Sequence, residues 1–283
     1  MDTIALVDKY PNSDERVVAQ EIKRSVGGPA AVAAITLARL GVRSAIIGTI
    51  GYDNDGDEIL SIFENEGVDF SGVSRSSAAT SGSVIVVSKA ENSRAISTRQ
   101  PISQNPPSAT AKSIVQNSKW VHVDHVGITK LDQLEIKRGE ISKISFDAGY
   151  GVKDFDASKV DLFVPNNVQM KERYPDLTLE QAVEADATKS KNTVVSTYGS
   201  KGAIGFSFAE GLVSSKPWDG EILSTLGAGD VFHGAILAAL HKGYSLGQSM
   251  NYANLVAGLS CRGLDGTSAI PTEIELNQYL GDF

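Results

Sequence analysis

The fold of this 283-residue chain is indicated best by the stretch Ser224-Thr225-Leu226-Gly227-Ala228-Gly229-Asp230-Val231-Phe232-His233-Gly234-Ala235. Small residues lead into an apolar run with helical spacing, so the sequence predicts a glycine turn followed by a helix over Ala228–Leu240. Glycines directly before a helix let several backbone N–H groups converge on one point, where the helix dipole favours an anion. The stretch therefore predicts an anion-binding turn at a helix N-terminus.

Asp230 falls in the first turn of that predicted helix. The dipole favours the ionised carboxylate, which could accept a proton from a substrate hydroxyl beside a bound phosphate. The alternative interpretation is that Gly227 and Gly229 only make a tight turn, and that Asp230 complements the helix dipole, as is common for isolated glycine-rich loops. The motif alone leaves both interpretations open.

A second glycine motif lies near the start of the chain. Gly27-Gly28-Pro29 opens a helical pattern over Ala30–Leu40, where the proline suits the first turn and Gly41 suits the C-terminal cap. A buried-type strand at Arg43–Gly48 follows, and Gly51-Tyr52-Asp53-Asn54-Asp55-Gly56 then leads into another helical pattern. This part of the chain therefore predicts one β-α step.

Short apolar or β-branched runs continue through the middle of the chain, separated by polar and partly helical segments. Their spacing is typical of a parallel sheet and predicts an α/β fold, whose ligands bind beyond the carboxyl ends of the strands. The runs are Trp120–Val123, Ile144–Phe146, Leu162–Val164 and Val194–Ser196, and they are followed by a predicted hairpin over Ala203–Val213 and helices over Leu246–Cys261 and Thr272–Leu280.

Two pairs of short strands interrupt this rhythm. Ile4–Val7 and Arg16–Ile22 are partly alternating runs separated by turn residues, and Val84–Val87 and Arg94–Thr98 flank the turn Ala90–Ser93. The alternation predicts strand pairs with one covered and one exposed face.

Composition excludes several classes of protein. A net charge of −8, 41% hydrophobic residues and 21% charged residues exclude disorder, collagen and a coiled coil. The negative charge opposes non-specific binding to nucleic acid or to an anionic membrane. The single cysteine, Cys261, has no internal disulfide partner, and the four histidines do not lie at metal-ligand spacing with it. With no apolar signal or spanning segment, we expect one cytoplasmic domain over residues 1–283.

The two glycine motifs, in this order and this far apart, resemble the two signatures of the ribokinase (PfkB-type) carbohydrate kinase family. Ser224–Asp230 matches the C-terminal signature Asp-Thr-x-Gly-Ala-Gly-Asp, and the segment from Val26 to Gly56 resembles the N-terminal one. The resemblance extends over nearly the whole chain. It implies a three-layer α/β/α fold with a mostly parallel central sheet, and a small β lid over the sugar site built from strands around residues 3–25 and 82–100.

The same resemblance implies an ATP-dependent sugar kinase that works with Mg²⁺. It makes Asp230 the catalytic base and makes Gly227, Ala228 and Gly229 the anion hole for the transferred phosphoryl group. Positioning and charge neutralisation are what phosphoryl transfer needs most, and Mg²⁺ would be held mainly by ATP phosphates and waters. The implied sugar residues are Asp2, Gly27, Gly28 and His125, although His125 could instead simply fill the sheet end; the implied nucleotide residues are Asn166, Thr197, Gly199, Ser200, Gly202, Thr225 and Asn254.

The chain departs from the family pattern at several positions. Ser224 replaces the usual first aspartate of the C-terminal signature, near which family members can bind a monovalent cation. Gln169 replaces the glutamate of the Asn-x-x-Glu motif that begins at Asn166, which removes a carboxylate that organises water around Mg²⁺. Val32 replaces an asparagine that follows the Gly-Gly pair, and valine cannot hydrogen-bond a sugar hydroxyl.

These departures bear on the substrate and on the sheet. The substrate need not be ribose, and the Gly-Gly-Pro-Ala-Ala variant looks closer to the branch that contains sulfofructose kinases, although no counterpart of an arginine clamp for a sulfonate is seen near His125. Met1-Asp2 falls where the family has already completed its first central strand, so we expect an unpaired strand edge in the central sheet.

Other functions stay open at this point. A nucleoside kinase would use the same fold and loop, and a sugar- or nucleotide-binding protein with weak catalysis would explain the substitutions. A Rossmann dehydrogenase is disfavoured because the glycine loop lies near the C-terminus. The lid strands could also pair two copies of the chain into a homodimer.

Overall fold

The computed structural model describes residues 1–91, 93–99, 105–140, 142–149 and 155–279, and it shows the predicted alternation of strands and helices. The strands are β1 (Asp2–Val7), β2 (Glu21–Ser25), β3 (Ala45–Gly51), β4 (Asp69–Ser76), β5 (Ser83–Ser88), β6 (Ser93–Thr98), β7 (Trp120–Val123), β8 (Lys143–Asp147), β9 (Leu162–Val164), β10 (Thr193–Thr197), β11 (Ala203–Ser207) and β12 (Gly211–Ser215). The helices are α1 (Pro29–Arg39), α2 (Asn54–Asn65), α3 (Ala109–Gln116), α4 (Asn167–Arg173), α5 (Leu179–Ser190), α6 (Ala228–His241), α7 (Leu246–Ser260) and α8 (Glu273–Leu276).

Six strands form the main sheet in the order β12-β11-β10-β9-β8-β7. Strands β7 to β10 are parallel, as their apolar runs predict, and β11 and β12 add the predicted hairpin in antiparallel pairing. Successive side chains point to opposite faces: Leu162 and Val164 pack in the cluster that contains α6 and α7, whereas Phe163 packs in the cluster that contains α5. Helices therefore cover both faces, which confirms the three-layer α/β/α prediction.

The two predicted strand pairs form one four-stranded sheet in the order β2-β1-β5-β6, called the lid sheet here. Its inner face carries Ile4, Leu6, Ile85 and Val87, which are buried together with Leu264. The prediction of a strand over Arg16–Ile22 is wrong. The strand lies at Glu21–Ser25 because β1 pairs with that segment from Asp2↔Ser25 to Leu6↔Glu21, and Val18 is left 83% exposed.

The remaining strands, β3 and β4, form a separate parallel pair. Among the described residues, β3 pairs only with β4 and β7 pairs only with β8, so each keeps one open edge. Both strands line a cavity of about 1380 Å³, with Ile46 and Ile47 on one wall and Trp120 and Val121 on the other. The unpaired edge expected from the sequence thus corresponds to a cleft between two sheets.

At the C-terminal end, the predicted helix over Thr272–Leu280 is shorter in the structure. The Thr272 side chain caps α8 by accepting a hydrogen bond from the Glu275 backbone N–H, the helix ends at Leu276, and Leu280 lies outside the described residues. Within the described part of the chain, no helix combines the length and the apolar character that crossing a bilayer requires.

Candidate functional site

The glycine turn begins helix α6 as the sequence predicts. Gly227 is the N-cap residue and has a φ of 76°, and a Cβ placed on it would lie 2.6 Å from the Gly266 Cα, so only glycine fits there. The backbone N–H of Val231 donates to the Gly227 carbonyl at 2.9 Å. The Ala228 N–H donates to the Thr225 carbonyl at 3.3 Å, whereas the N–H groups of Gly229 and Asp230 have no acceptor within the helix. The turn therefore has the geometry of an anion site.

The two residues that precede this turn have defined partners. The Ser224 hydroxyl accepts a hydrogen bond from the Leu226 N–H at 3.2 Å, so serine still stabilises the turn but without a negative charge. The Thr225 hydroxyl accepts a hydrogen bond from Arg94 of the lid sheet at 3.1 Å. The lid sheet is thereby connected directly to the signature loop.

Asp230 has an unusual electrostatic environment. Burial raises the pKa of its carboxyl group to about 7, and the negative charges of Asp147 and Asp124 act in the same direction, while His233 and Arg94 oppose them. A carboxylate with a pKa near neutrality binds a proton more readily than an ordinary aspartate and is still largely ionised slightly above pH 7. Asp230 thus has the proton affinity of a general base.

Three residues not predicted from the sequence lie beside Asp230. His233 follows it by one helical turn on α6, and its Nε2 atom is 3.3 Å from Asp147 Oδ2 at the end of β8. His122 of the neighbouring strand β7 lies with its ring centroid 5.4 Å from that of His233. The only sequence signal for His122 and Asp147 was that both lie in neighbouring parallel strands near their carboxyl ends.

Among the described residues, one cluster of side chains could hold a metal ion. It consists of His122, Asp147 and His233, each of which offers one ligand atom, and these atoms lie within 4.8 Å of one another. Asp147 and His233 already satisfy each other as a charged hydrogen-bonded pair, and His122 Nδ1 is hydrogen-bonded to the Ser145 hydroxyl at 2.8 Å. The Asp147–His233 pair is therefore explained without a metal ion, whereas His122 Nε2 is buried and has no hydrogen-bond partner among the described residues.

The predicted sugar residues come together at the same cavity that separates β3 from β7. Asp2, Gly27, Gly28 and His125 all line it, whereas Asp230, which is also predicted to contact the sugar, is not among its lining residues. A Cβ on Gly27 would lie 1.9 Å from Asp2 Oδ2, so glycine is what allows the Asp2 carboxylate to approach the backbone there. Burial raises the pKa of Asp2 above its ordinary value.

His125 lacks a hydrogen-bond partner in this cavity, as does His122 at its Nε2 atom. The Nδ1 atom of His125 is buried and has no hydrogen-bond partner among the described residues. Because an unsatisfied buried polar atom is costly, this nitrogen is available to a ligand. Val32, by contrast, is 2% exposed and belongs to the hydrophobic core, so it offers the cavity no polar contact.

The predicted nucleotide residues form a second group, and none of them lines the cavity. Gly199 and Gly202 have φ values of 54° and 88° in the turn after Thr197, and a Cβ on Gly202 would lie 2.0 Å from the Ser215 carbonyl oxygen. Asn254 of α7 donates a hydrogen bond to the Ser215 hydroxyl at 2.7 Å. The turn, in which Ser200 is exposed, and helix α7 therefore converge on Ser215.

Asn166 and Gln169 form a reciprocal cap at the start of α4. Asn166 Oδ1 accepts a hydrogen bond from the Gln169 N–H at 2.9 Å, and Gln169 Oε1 accepts one from the Asn166 N–H at 2.8 Å. The Gln169 Nε2 group also donates to the Gly149 carbonyl. Gln169 thus stabilises the start of α4. A glutamate there could also accept the hydrogen bond from the Asn166 N–H, but it could not donate one to the Gly149 carbonyl.

The chain is similar to known proteins in sequence and in fold. A model of the pfkB family carbohydrate kinases matches residues 1–273. The chain is 26% identical to a ribokinase of Lactococcus lactis, covering 99% of this chain and 96% of the relative, and 27% identical to a ketohexokinase of Mus musculus, covering 94% and 95%. The structure of ribokinase from Thermotoga maritima superposes with a TM-score of 0.80 at 21% identity, covering 99% of this chain and 96% of that one.

Proposed function

The chain belongs to the pfkB family of carbohydrate kinases, and from this premise we propose that it transfers the γ-phosphoryl group of ATP to a hydroxyl group of a small sugar. The observation that carries the proposal is the position of Asp230, whose pKa is raised to about 7, in the first turn of α6 beside unpaired backbone N–H groups. A base and an anion site are thus adjacent, as phosphoryl transfer to an alcohol requires.

In the proposed reaction, Asp230 accepts the proton of the attacking sugar hydroxyl. The hydroxyl oxygen forms a bond to the γ-phosphorus, and the bond to the bridging oxygen breaks so that ADP leaves. The N–H groups of Gly227 and Gly229 stabilise the charge on the transferred group because they are fixed before the reaction begins, and the Ala228 N–H holds the turn by donating to the Thr225 carbonyl. Arg94 links the lid sheet to Thr225, which supports closure of the lid over the sugar and exclusion of water.

ATP would lie along the second group of residues, from the turn at Gly199–Gly202 to Asn254. Bound Mg²⁺ supplies neutralisation of phosphate charge. Side-chain oxygens of the kind that Mg²⁺ prefers are present at Asn166 and Gln169, but both already accept a hydrogen bond within the α4 cap. These residues fit an ion held mainly by phosphates and waters, with the side chains outside its direct shell.

The substrate we propose is a pentose or ketose. The carboxylate of Asp2, the backbone at Gly28 and the unpartnered nitrogen of His125 offer hydrogen-bonding groups for several hydroxyls. The ribokinase and ketohexokinase relatives act as their names state on these two classes of sugar. A cytoplasmic location, where ATP is available and Cys261 stays reduced, belongs to the same proposal.

The test is an ADP-release assay with Mg-ATP across pentoses, ketoses, sugar acids, sulfosugars and nucleosides, with and without potassium. We expect turnover with one sugar class, and a loss of at least about a thousandfold in kcat for Asp230→Asn, because the proton acceptor is removed. Asp176→Asn, at an exposed aspartate far from the turn in sequence, is the matched control and should keep full activity.

The other outcomes identify the competing functions. Turnover with nucleosides alone would identify a nucleoside kinase. Folded protein that binds Mg-ATP and a sugar without any turnover would identify a binding protein and overturn the proposal.

A further inference from the structure

The pair formed by His233 and Asp147 is buried directly beside the proposed base. The two residues are 5% and 7% exposed, and Asp147 Oδ1 also accepts a hydrogen bond from the Gly149 N–H at 2.9 Å. His233 lies three residues after Asp230, so both side chains emerge from the same side of α6. The carboxylate of Asp147 is therefore held in place between a backbone N–H group and an imidazole.

The negative charges of buried Asp147 and half-buried Asp230 oppose each other. The Asp147 carboxylate makes ionisation of Asp230 more costly, and Asp124, in the loop after β7, adds to this effect. The cations that face Asp230 are His233 on α6 and Arg94 on the lid sheet. Of these two, only His233 contacts Asp147 directly.

The charges around His233 favour its protonated form. Burial alone would lower the pKa of His233, but Asp147 and Asp230 raise it above its ordinary value. In turn, burial would raise the pKa of Asp147, yet His233 holds it at about 2. His122 faces the same pair but carries no charge at neutral pH, because burial and then the charge of His233 lower its pKa to about 3.

We propose that His233 is a positioning residue for the phosphoryl transfer: as an imidazolium 3.3 Å from Asp147 it cancels the charge of that carboxylate and so favours the ionised form of Asp230. This inference rests on the proposed kinase activity. It assigns a role to a side chain that contacts neither the sugar cavity nor the anion turn. It also explains how Asp147 can lie near Asp230, although Asp230 must be ionised to accept a proton.

The first test is the pH dependence of kcat at saturating sugar and Mg-ATP. In His233→Gln, the glutamine amide can still donate to Asp147 but carries no charge, so the acidic limb of the profile should move up by about one pH unit. Activity at pH 7 should then fall about fivefold and recover most of the loss at pH 9, with KM for the sugar unchanged. Lys189→Gln, which removes a positive charge at the exposed end of α5, should leave the profile in place.

The opposite charge change should give the opposite shift. Asp147→Asn removes the negative charge that opposes ionisation of Asp230, so its acidic limb should move to lower pH. The double variant should lie between the two single variants because each change compensates for the other. If the two single variants lower kcat equally at every pH without moving the limb, the pair is only structural and the inference is wrong.

A second measurement does not depend on turnover. Ring ¹⁵N chemical shifts of histidine-labelled protein should show His233 doubly protonated at pH 7, and neutral at the same pH in Asp147→Asn. A neutral His233 in the parent protein at pH 7 would overturn the inference even if the kinase activity is confirmed. Absence of turnover from a parent protein whose His233 is protonated would instead count against the proposed function alone.

Discussion

At the scale of single residues, the raised pKa of Asp230 connects function with stability. Its folded pKa of about 7 lies above the ordinary value near 4, so this residue favours the folded state most at low pH. That contribution is lost as the pH rises through the folded pKa, because a buried carboxylate must then carry its charge. The protein thus gives up stability at neutral and alkaline pH to keep a base in place.

This linkage predicts the behaviour of Asp230→Asn. Asparagine is neutral at every pH, so the variant should be more stable than the parent protein by about 2 kcal/mol at pH 8 and should lose this advantage at pH 4. The measurement is urea denaturation at both pH values, with Asp176→Asn as the control that should match the parent. Equal stability of parent and Asp230→Asn at pH 8 would show that the carboxylate is not destabilised by its site.

Gly227 offers a separate prediction about the anion turn. Gly227→Ala places a Cβ at a φ of 76° and 2.6 Å from the Gly266 Cα, and neither backbone segment can move freely. We expect a loss of about 2 kcal/mol in the free energy of unfolding. Gly229→Ala is the matched control, because a Cβ there meets no atom within 4 Å and should leave the melting temperature nearly unchanged or raise it.

At this scale the sequence is most informative where one continuous stretch contains the residues of interest. The order of glycines and aspartate predicts the turn and the position of Asp230 in the first turn of α6, since both belong to one helix N-terminus. His122, Asp147 and His233 were missed because they come from three separate elements, and only the strand order brings them together. Gln169 replaces a carboxylate of the family pattern, and it caps α4 together with Asn166, three residues before it. Its additional hydrogen bond to the Gly149 carbonyl joins residues that lie far apart in sequence.

At the scale of elements, the lid sheet shows what alternation can and cannot predict. Its four strands were recognised, but the second was placed at Arg16–Ile22 instead of Glu21–Ser25. Alternation indicates a strand that can be half-buried, whereas the register is decided by the partner strand, which a local pattern does not contain. The parallel contact between β1 and β5, which unites the two pairs, is also a non-local feature.

The outer face of the lid sheet leads to a prediction about assembly. Ile22 lies opposite Ala5, which lies opposite Val86, so these side chains share the outer face together with Val84, two residues from Val86. Ile22 is 69% exposed and Val84 is 59% exposed, and two copies of this apolar stripe could cover each other.

We therefore expect a homodimer that pairs lid sheets, and we expect Ile22→Lys with Val84→Lys to give a monomer. Gel filtration with light scattering measures the change. Val18→Lys, at an 83% exposed valine outside the lid strands, is the control and should stay dimeric. A parent protein that is monomeric at all concentrations tested would contradict this prediction.

At the scale of the whole molecule, the fold class was predictable because the periodicity of buried strands and covering helices runs through most of the chain. The division of the strands into a six-stranded sheet and the separate β3-β4 pair is a property of their packing. The cavity between them is lined by strand edges and apolar side chains, and Met1 lines it too. An additional strand needs an open strand edge for its hydrogen bonds and an apolar surface for its side chains.

This arrangement predicts that a strand supplied to the cleft stabilises the protein. A segment of six alternating valine and isoleucine residues joined to Met1 could hydrogen-bond to the open edges of β3 and β7 and bury apolar surface at roughly 25 cal/mol per Å². We expect the melting temperature to rise by about 5 °C or more, because each kcal/mol is worth a few degrees for a chain of this size.

The control for this experiment is a glycine-serine segment of the same length, which adds the same number of residues but offers neither β propensity nor apolar surface. It should leave the melting temperature where it is. Hydrogen exchange provides the structural check, since amides of β7 that face the cleft should become protected only with the valine-isoleucine segment. An equal effect of both segments, or protection limited to the lid sheet, would show that the cleft does not accept a strand.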